Sequence, residues 1–344
     1  MALSLPSVGG ESAADRLRAQ RFAIGRVRVE WLDMFVVAAT LVAALVRLPT
    51  LAAKGFWYDE LISVNIARVP VGTILRARFT FGAPADLVDR LYTNNPPLHL
   101  LLIHAALRIS PNEAIVRLPF ALAGIATVPV AFQLLLHLFD RTTAALGASL
   151  LAVSPLHIAY SQEARPTAFF VFLSLLSLLY LMRALDGEGG RNWVLFAVVA
   201  SINCWTSYFA LTLVLPTLAA VAEVKLAGGL RHPLPVGGLR GLWQPGLAFG
   251  AVALSVLPLL PDLLMTADRN QVEAGDSAAR LGAVIPLALA AVAGLLHPYP
   301  GAILVLVPAG ALTIIGIWTF IRRPDRRGSI VAVWIVVPCL SRCW

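Results

Sequence analysis

Long uninterrupted apolar runs constrain this chain more than any other feature. A helix rises about 1.5 Å per residue, so about 20 apolar residues cross the hydrocarbon of a bilayer. Runs at 33–49, 116–138, 144–159, 167–185, 193–206, 209–226, 244–261, 302–321 and 329–344 reach or approach that length. They are continuous in Leu, Ala and Val rather than alternating with polar residues, which predicts helices and not the strands of a membrane barrel. Only 13% of the residues are charged and the mean hydropathy is +0.79, against roughly a quarter charged in soluble domains. Two shorter apolar stretches, 97–109 and 281–296, suit interfacial or re-entrant placement better than spanning. The expected fold is all-α: a polytopic helical membrane protein with about 9–11 transmembrane helices.

The net charge of +8 does not imply a nucleic-acid partner, because Lys and Arg collect in the cytoplasmic loops of membrane proteins. Residues 1–30 carry Arg16, Arg18, Arg21, Arg26 and Arg28 and no apolar run, so they read as a cytoplasmic basic tail before a membrane domain at 31–344. With 97–109 and 281–296 laid along the outer interface, Arg141, Arg183, Arg191, Lys225, Arg231, Arg240, Arg322, Arg323, Arg326 and Arg327 all fall inside, as the positive-inside rule requires. Residues 50–115 then form the first outer loop. Its Phe56, Trp57, Tyr58, Phe79, Phe81 and Tyr92 suit short helices at headgroup level. Cys204, Cys339 and Cys343 show neither metal-ligand nor disulfide spacing. The run 331–338 begins like another span and stops at Trp344, which leaves a natural end and a truncated one both open.

Polar residues in such a chain need a reason, and three groups stand out. Asp59 and Glu60 follow the first span within Gly55-Phe56-Trp57-Tyr58-Asp59-Glu60. Carboxylates close to hydrocarbon can serve as general bases near neutral pH, while acids in a first helical turn are also placed there by the helix dipole. Glu163 and Arg165 lie in Tyr160-Ser161-Gln162-Glu163-Ala164-Arg165-Pro166, a polar break between two apolar runs. An ionisable residue at membrane depth is a functional candidate, and a guanidinium forks onto phosphate oxygens. The alternative is a local Glu163–Arg165 pair closing the loop. Asn94 and Asn95 precede Pro96-Pro97-Leu98-His99, where Asn caps and Pro starts a helix. His99 and His104 are five apart, not at the spacing of a helical metal pair. Tyr208 sits at an expected outer turn, within reach of substrate or headgroups. No phosphate-binding glycine loop, dinucleotide fingerprint or nucleophile elbow occurs, so an enzyme here would take its activated donor from the membrane.

The order of these segments resembles a family. The first span is followed by Trp57-Tyr58-Asp59-Glu60, then Asn95-Pro96-Pro97-Leu98, then Arg117-Leu118-Pro119 opening a span. Leu138-Phe139-Asp140-Arg141 and Ser154-Pro155 then lead to Tyr160-Ser161-Gln162-Glu163-Ala164-Arg165. Over about residues 31–215 this is similar to the GT-C glycosyltransferases related to protein O-mannosyltransferases and the lipid A aminoarabinose transferase, nearest their bacterial mannosyltransferase-like branch. The resemblance implies a plasma-membrane enzyme with its site on the extracytoplasmic side. It would transfer a sugar, a hexose such as mannose, from a polyprenyl-phosphate donor to a hydroxyl of a protein, glycan or lipid. It implies Asp59, Glu60 and Glu163 as catalytic acids. Arg165, Tyr58, Asn94, Asn95, Tyr160, Gln162 and Tyr208 are the expected substrate contacts. The aminoarabinose branch has a charged pair where this chain has Asn94 and Asn95, so no cofactor is certain and a divalent metal is a weak expectation. The rival readings are a transporter or flippase of lipid-linked or small polar substrates, and a truncated non-catalytic relative.

Overall fold

The computed structural model describes residues 34–80, 91, 93, 95–214, 217, 218, 221 and 243–265. The basic tail, Asn94, the apolar stretch at 281–296 and the expected spans at 302–321 and 329–344 lie outside the described residues. Those described are helical, with no strand among them. In chain order the helices are α1 (Met34–Arg47), α2 (Tyr58–Ala67), α3 (Val71–Phe79), α4 (Leu98–Ile109), α5 (Glu113–Leu138), α6 (Arg141–Val153), α7 (Pro155–Ser161), α8 (Thr167–Leu185), α9 (Gly190–Thr206) and α10 (Trp243–Val256). The last continues through a 3-10 turn at Leu257–Leu259 to Met265.

Three of these, Glu113–Leu138, Thr167–Leu185 and Trp243–Met265, are long and apolar enough to cross a membrane, and α6 with α7 makes a fourth if the bent pair is one span. The chain is therefore a multi-pass helical membrane protein. The 26 residues of α5 reach about 39 Å, which exceeds the hydrocarbon thickness. Pro119 and Pro129 lie inside α5, where neighbouring helices support the backbone groups that proline leaves unbonded.

The expected span at 144–159 is broken. α6 and α7 meet at 57°. Pro155 has no N–H to give and drives the preceding residue out of helical geometry. Ser154 is accordingly extended at ψ 117°, ends α6, and caps α7 by accepting from the His157 amide at 3.4 Å. The bend turns the chain toward the loop that carries Glu163 and Arg165.

Packing fixes which helix ends lie together. α5, α8, α9 and α10 share a core around Leu178, Leu181, Phe196, Ala200, Phe249 and Val252. α1, α5 and α6 share a second around Ala43, Val128, Ala144 and Ala148. α2 and α4 rest on the start of α5 through Val64, Ile103, Val116 and Phe120, with Ala164 and Ala168 in the same cluster. Arg117, in the first turns of α5, bonds the carbonyls of Leu51, Lys54 and Gly55, just past α1. The segment between α1 and α5 thus leaves and returns at one end of the bundle. α4, with 12 residues, reaches only about 18 Å and does not cross. At the opposite end Asp140 caps α6 through the Thr142 and Thr143 amides, and Arg183 donates to Gln133 at 2.7 Å.

Candidate functional site

The site is built where the start of α2, the start of α5 and the loop between α7 and α8 converge. Tyr58, Asp59 and Glu60 occupy the first turn of α2, a position the helix dipole favours for acids. One turn brings two adjacent carboxylates to opposite environments.

Glu60 is fully buried. Its Oε1 accepts from Arg117 Nε at 2.8 Å and from the Ala164 amide at 2.7 Å. Its Oε2 accepts from Arg117 Nη2 at 2.6 Å and from the Trp57 amide at 3.2 Å. Arg117, 4% exposed, spends every N–H it has: two on Glu60 and three on the Leu51, Lys54 and Gly55 carbonyls, at 2.7, 2.7 and 3.0 Å. The Phe56 ring stands 5.3 Å from the guanidinium. A buried ion pair is tolerated when the remaining lone pairs and protons are all satisfied, and this one is. It joins both acid-bearing segments to α5 and leaves Glu60 no free lone pair.

Asp59 faces outward. Its Oδ2 pairs with Arg165 Nη1 at 2.9 Å, with side-chain exposures of 38% and 31%. The Trp57 ring lies 5.4 Å from the Arg165 guanidinium. The alternative of a local Glu163–Arg165 pair does not form; Arg165 reaches across to α2 instead. Glu163 Oε2 is buried without a hydrogen-bond partner. Burial, the largest influence, pushes the Glu163 carboxyl above its ordinary value; Arg165 and Arg117 act against that shift, and Glu60 and Asp59 add to it.

The other expected contacts divide. Tyr58 is 75% exposed beside Asp59, and Tyr160 is half-buried on α7. Gln162 is occupied: its Nε2 reaches the Val46 and Arg47 carbonyls and Thr50 Oγ1 at 3.2, 3.0 and 2.6 Å, which binds the loop to the end of α1. Asn95 contributes its carbonyl to Thr93 Oγ1 at 3.0 Å. Tyr208 belongs to a second cluster, donating to Asp262 Oδ2 at 2.5 Å.

Three arginines matter that the sequence did not single out for a role. Arg117 is one. Arg47, fully buried at the end of α1, donates from Nη1 to the Ala43 and Ala152 carbonyls at 3.1 and 2.8 Å and from Nη2 to His157 Nδ1 at 2.8 Å, so it ties α1 to the bend before the loop. Arg78 pairs with Asp262 at 2.7 Å and bonds the Leu91 and Thr93 carbonyls, which braces α3 and the approach to α4 against the end of α10. A lone arginine at the edge of an apolar run was the available signal; its partners lie up to 184 residues away and leave no local trace.

The donor set does not fit a divalent ion. Asp59 and Glu60 each face a guanidinium, His99 and His104 turn Nδ1 to the Pro96 and Ala67 carbonyls at 2.9 and 2.7 Å, and among the described residues no three His, Cys, Asp or Glu side chains gather.

Residues 94–239 match the family model of dolichyl-phosphate-mannose-protein mannosyltransferases. That stretch is similar to a mannosyltransferase family over less than half of the chain. YkcB of Bacillus subtilis strain 168, described as a mannosyltransferase, is 23% identical over 202 residues, 56% of this chain and 27% of the relative. The crystal structure of the Archaeoglobus fulgidus oligosaccharyltransferase, in complex with Zn and sulfate, is similar at a TM-score of 0.56 and 16% identity, over 89% of this chain and 46% of that one. The chain therefore spans about a quarter of the curated relative and under half of the solved one, whose likeness is one of fold. The family match takes in Arg117, Glu163, Arg165 and Tyr208, while Asp59 and Glu60 precede it.

Proposed function

We propose that this GT-C protein transfers a sugar from a polyprenyl-phosphate donor to an acceptor hydroxyl on the extracytoplasmic face of the plasma membrane. The observation that carries the reading is the pairing of an exposed acid with an exposed arginine, Asp59 with Arg165, on a frame locked by Glu60 and Arg117. Both side chains are about one-third exposed, so a hydroxyl can reach the carboxylate and a phosphate can reach the guanidinium.

In the reaction the acceptor oxygen attacks the anomeric carbon of the donor and forms the new glycosidic bond. The bond from that carbon to the phosphate oxygen breaks, and the polyprenyl phosphate leaves with the electron pair. Asp59 takes the hydroxyl proton as general base. Arg165 neutralises charge developing on the leaving phosphate. Glu60 and Arg117 are positioning residues: their atoms are saturated, and they hold Trp57, Asp59 and the 162–166 loop in register. Glu163 lies beside Arg165 with one oxygen unbonded, placed to orient the acceptor or the sugar. Single displacement inverts the anomeric configuration. The family name supports mannose as the sugar and a protein as the acceptor, with a glycan or a lipid the other acceptor classes.

The test is transfer by membranes containing this chain, using a panel of radiolabelled polyprenyl-phosphate sugars. Transfer from one donor, with an inverted product linkage and dependence on Asp59, is the expected result. A product that keeps the donor's anomeric configuration would overturn the single-displacement mechanism. Transfer from no donor by folded protein would overturn the assignment.

A further inference from the structure

Two consecutive aromatic residues and two consecutive acids share two arginines here. Phe56 and Glu60 hold Arg117; Trp57 and Asp59 hold Arg165. The inner set is saturated. The outer set is not. Asp59 and Arg165 lie within 2.9 Å as an ion pair, and the guanidinium keeps donors to spare among the described residues. A guanidinium offers five N–H groups in a fork that fits phosphate oxygens two at a time. Asp59 holds the fork through Nη1, so a phosphate that takes the Nη1–Nη2 edge with two oxygens competes with it for that donor.

We propose that Arg165 serves two anions by turns: it covers Asp59 while the site is empty and passes to the phosphate of the lipid-linked donor when that binds, which frees Asp59 to act on an acceptor. This rests on the donor reading above and adds an order to it, donor before acceptor. Trp57 is the seat on which the exchange occurs. Its ring face attracts the cation whichever anion is paired, so the guanidinium shifts without leaving the surface of α2. Both partners are about one-third exposed, so the exchange opens no core contact. Release of the polyprenyl phosphate product returns Arg165 to Asp59 and closes the cycle.

Competition gives a sign that mere scaffolding would not. If Asp59 competes with phosphate for Arg165, removing its charge tightens phosphate binding. If Asp59 only holds Arg165 in place, removing it weakens binding. The experiment titrates the purified full chain in lipid nanodiscs with farnesyl monophosphate, a sugar-free polyprenyl phosphate, by calorimetry. Asp59→Asn is expected to bind about two- to fivefold tighter than wild type, the scale of an exposed ion pair. Arg165→Gln is expected to bind more weakly, and adding Asp59→Asn to it should bring no gain. Asp59→Ala repeats the measurement should the first variant fold poorly. Wild type that binds, with both Asp59 variants equal or weaker, would overturn the exchange and leave the donor reading standing. Wild type that does not bind farnesyl monophosphate at all would overturn both.

Discussion

Asp59 and Glu60 are neighbours in sequence, and the fold gives them opposite circumstances. Glu60 is fully buried, accepts four hydrogen bonds and meets an arginine whose five donors are all used. Asp59 is 38% exposed and meets its arginine in a single ion pair. A buried charge without a full set of partners is costly, whereas an exposed pair is worth little in stability. The first arrangement can hold a frame and cannot easily react. The second contributes little to the frame and can change partners. Adjacent acids of the same chemical type therefore divide into a buried fastener and a partly exposed, singly paired acid, and the division is made by what the other helices bring to each.

The largest expected effect is catalytic. Asp59→Asn should lower the transfer rate by about 10²- to 10⁴-fold, the usual scale of a general base, with an unchanged melting profile in detergent. A loss of fold in that variant would erase the distinction between the two acids. Next come the fasteners. Glu60→Ala or Arg117→Ala leaves a buried charge unpaired and should destabilise the protein by about 3–5 kcal/mol, read as a lowered thermal midpoint and poor recovery from membranes. Arg117→Lys should not rescue it, because an ammonium cannot reproduce the fork across Glu60 and three carbonyls. A Glu60→Ala protein that is stable but inactive would instead make Glu60 a reacting group.

Gly124 tests the frame from the other side of the loop. A Cβ there would lie 2.1 Å from Ser161 Oγ and 2.6 Å from Ser161 Cβ, so α5 and the end of α7 approach this closely only because the side chain is absent. Gly124→Ala should cost about 1–3 kcal/mol through overpacking, measured by thermal unfolding, and should lower transfer by displacing Arg165. The smallest effect concerns Glu163. Its carboxyl is pushed above the ordinary range, chiefly by burial, so the folded state holds the proton more tightly than the unfolded state. That contribution to stability is full below the unfolded value and is lost as pH rises through the folded one. Glu163→Gln does not titrate, so it should gain thermal stability over wild type as pH rises above the ordinary carboxylate range and show no such gain at acid pH. An equal difference at all pH values would remove burial as the cause.

How much of this was legible beforehand depends on range. The apolar runs gave the helical membrane class, and Ser154-Pro155 marked a break although 144–159 reads as one span; the proline acts locally, so its effect is local too. The positions of Asp59, Glu163 and Arg165 as outlying polar residues were visible because a bilayer makes every charge conspicuous. Which arginine pairs with which acid was not. Glu163 and Arg165 are two residues apart and do not pair, while Asp59 and Arg165 are far apart in sequence and do. That Gln162 secures the end of α1 was not legible either.

The sequence by itself determined the solvent, the helical class and which polar residues stand out against it, because hydropathy and propensity act through neighbours along the chain. Only the tertiary structure decided their partners and their exposure. A carboxylate's role depends on how many donors surround it and how much water reaches it, and both are supplied here by α5 and the loop between α7 and α8, which meet α2 only when the bundle has closed.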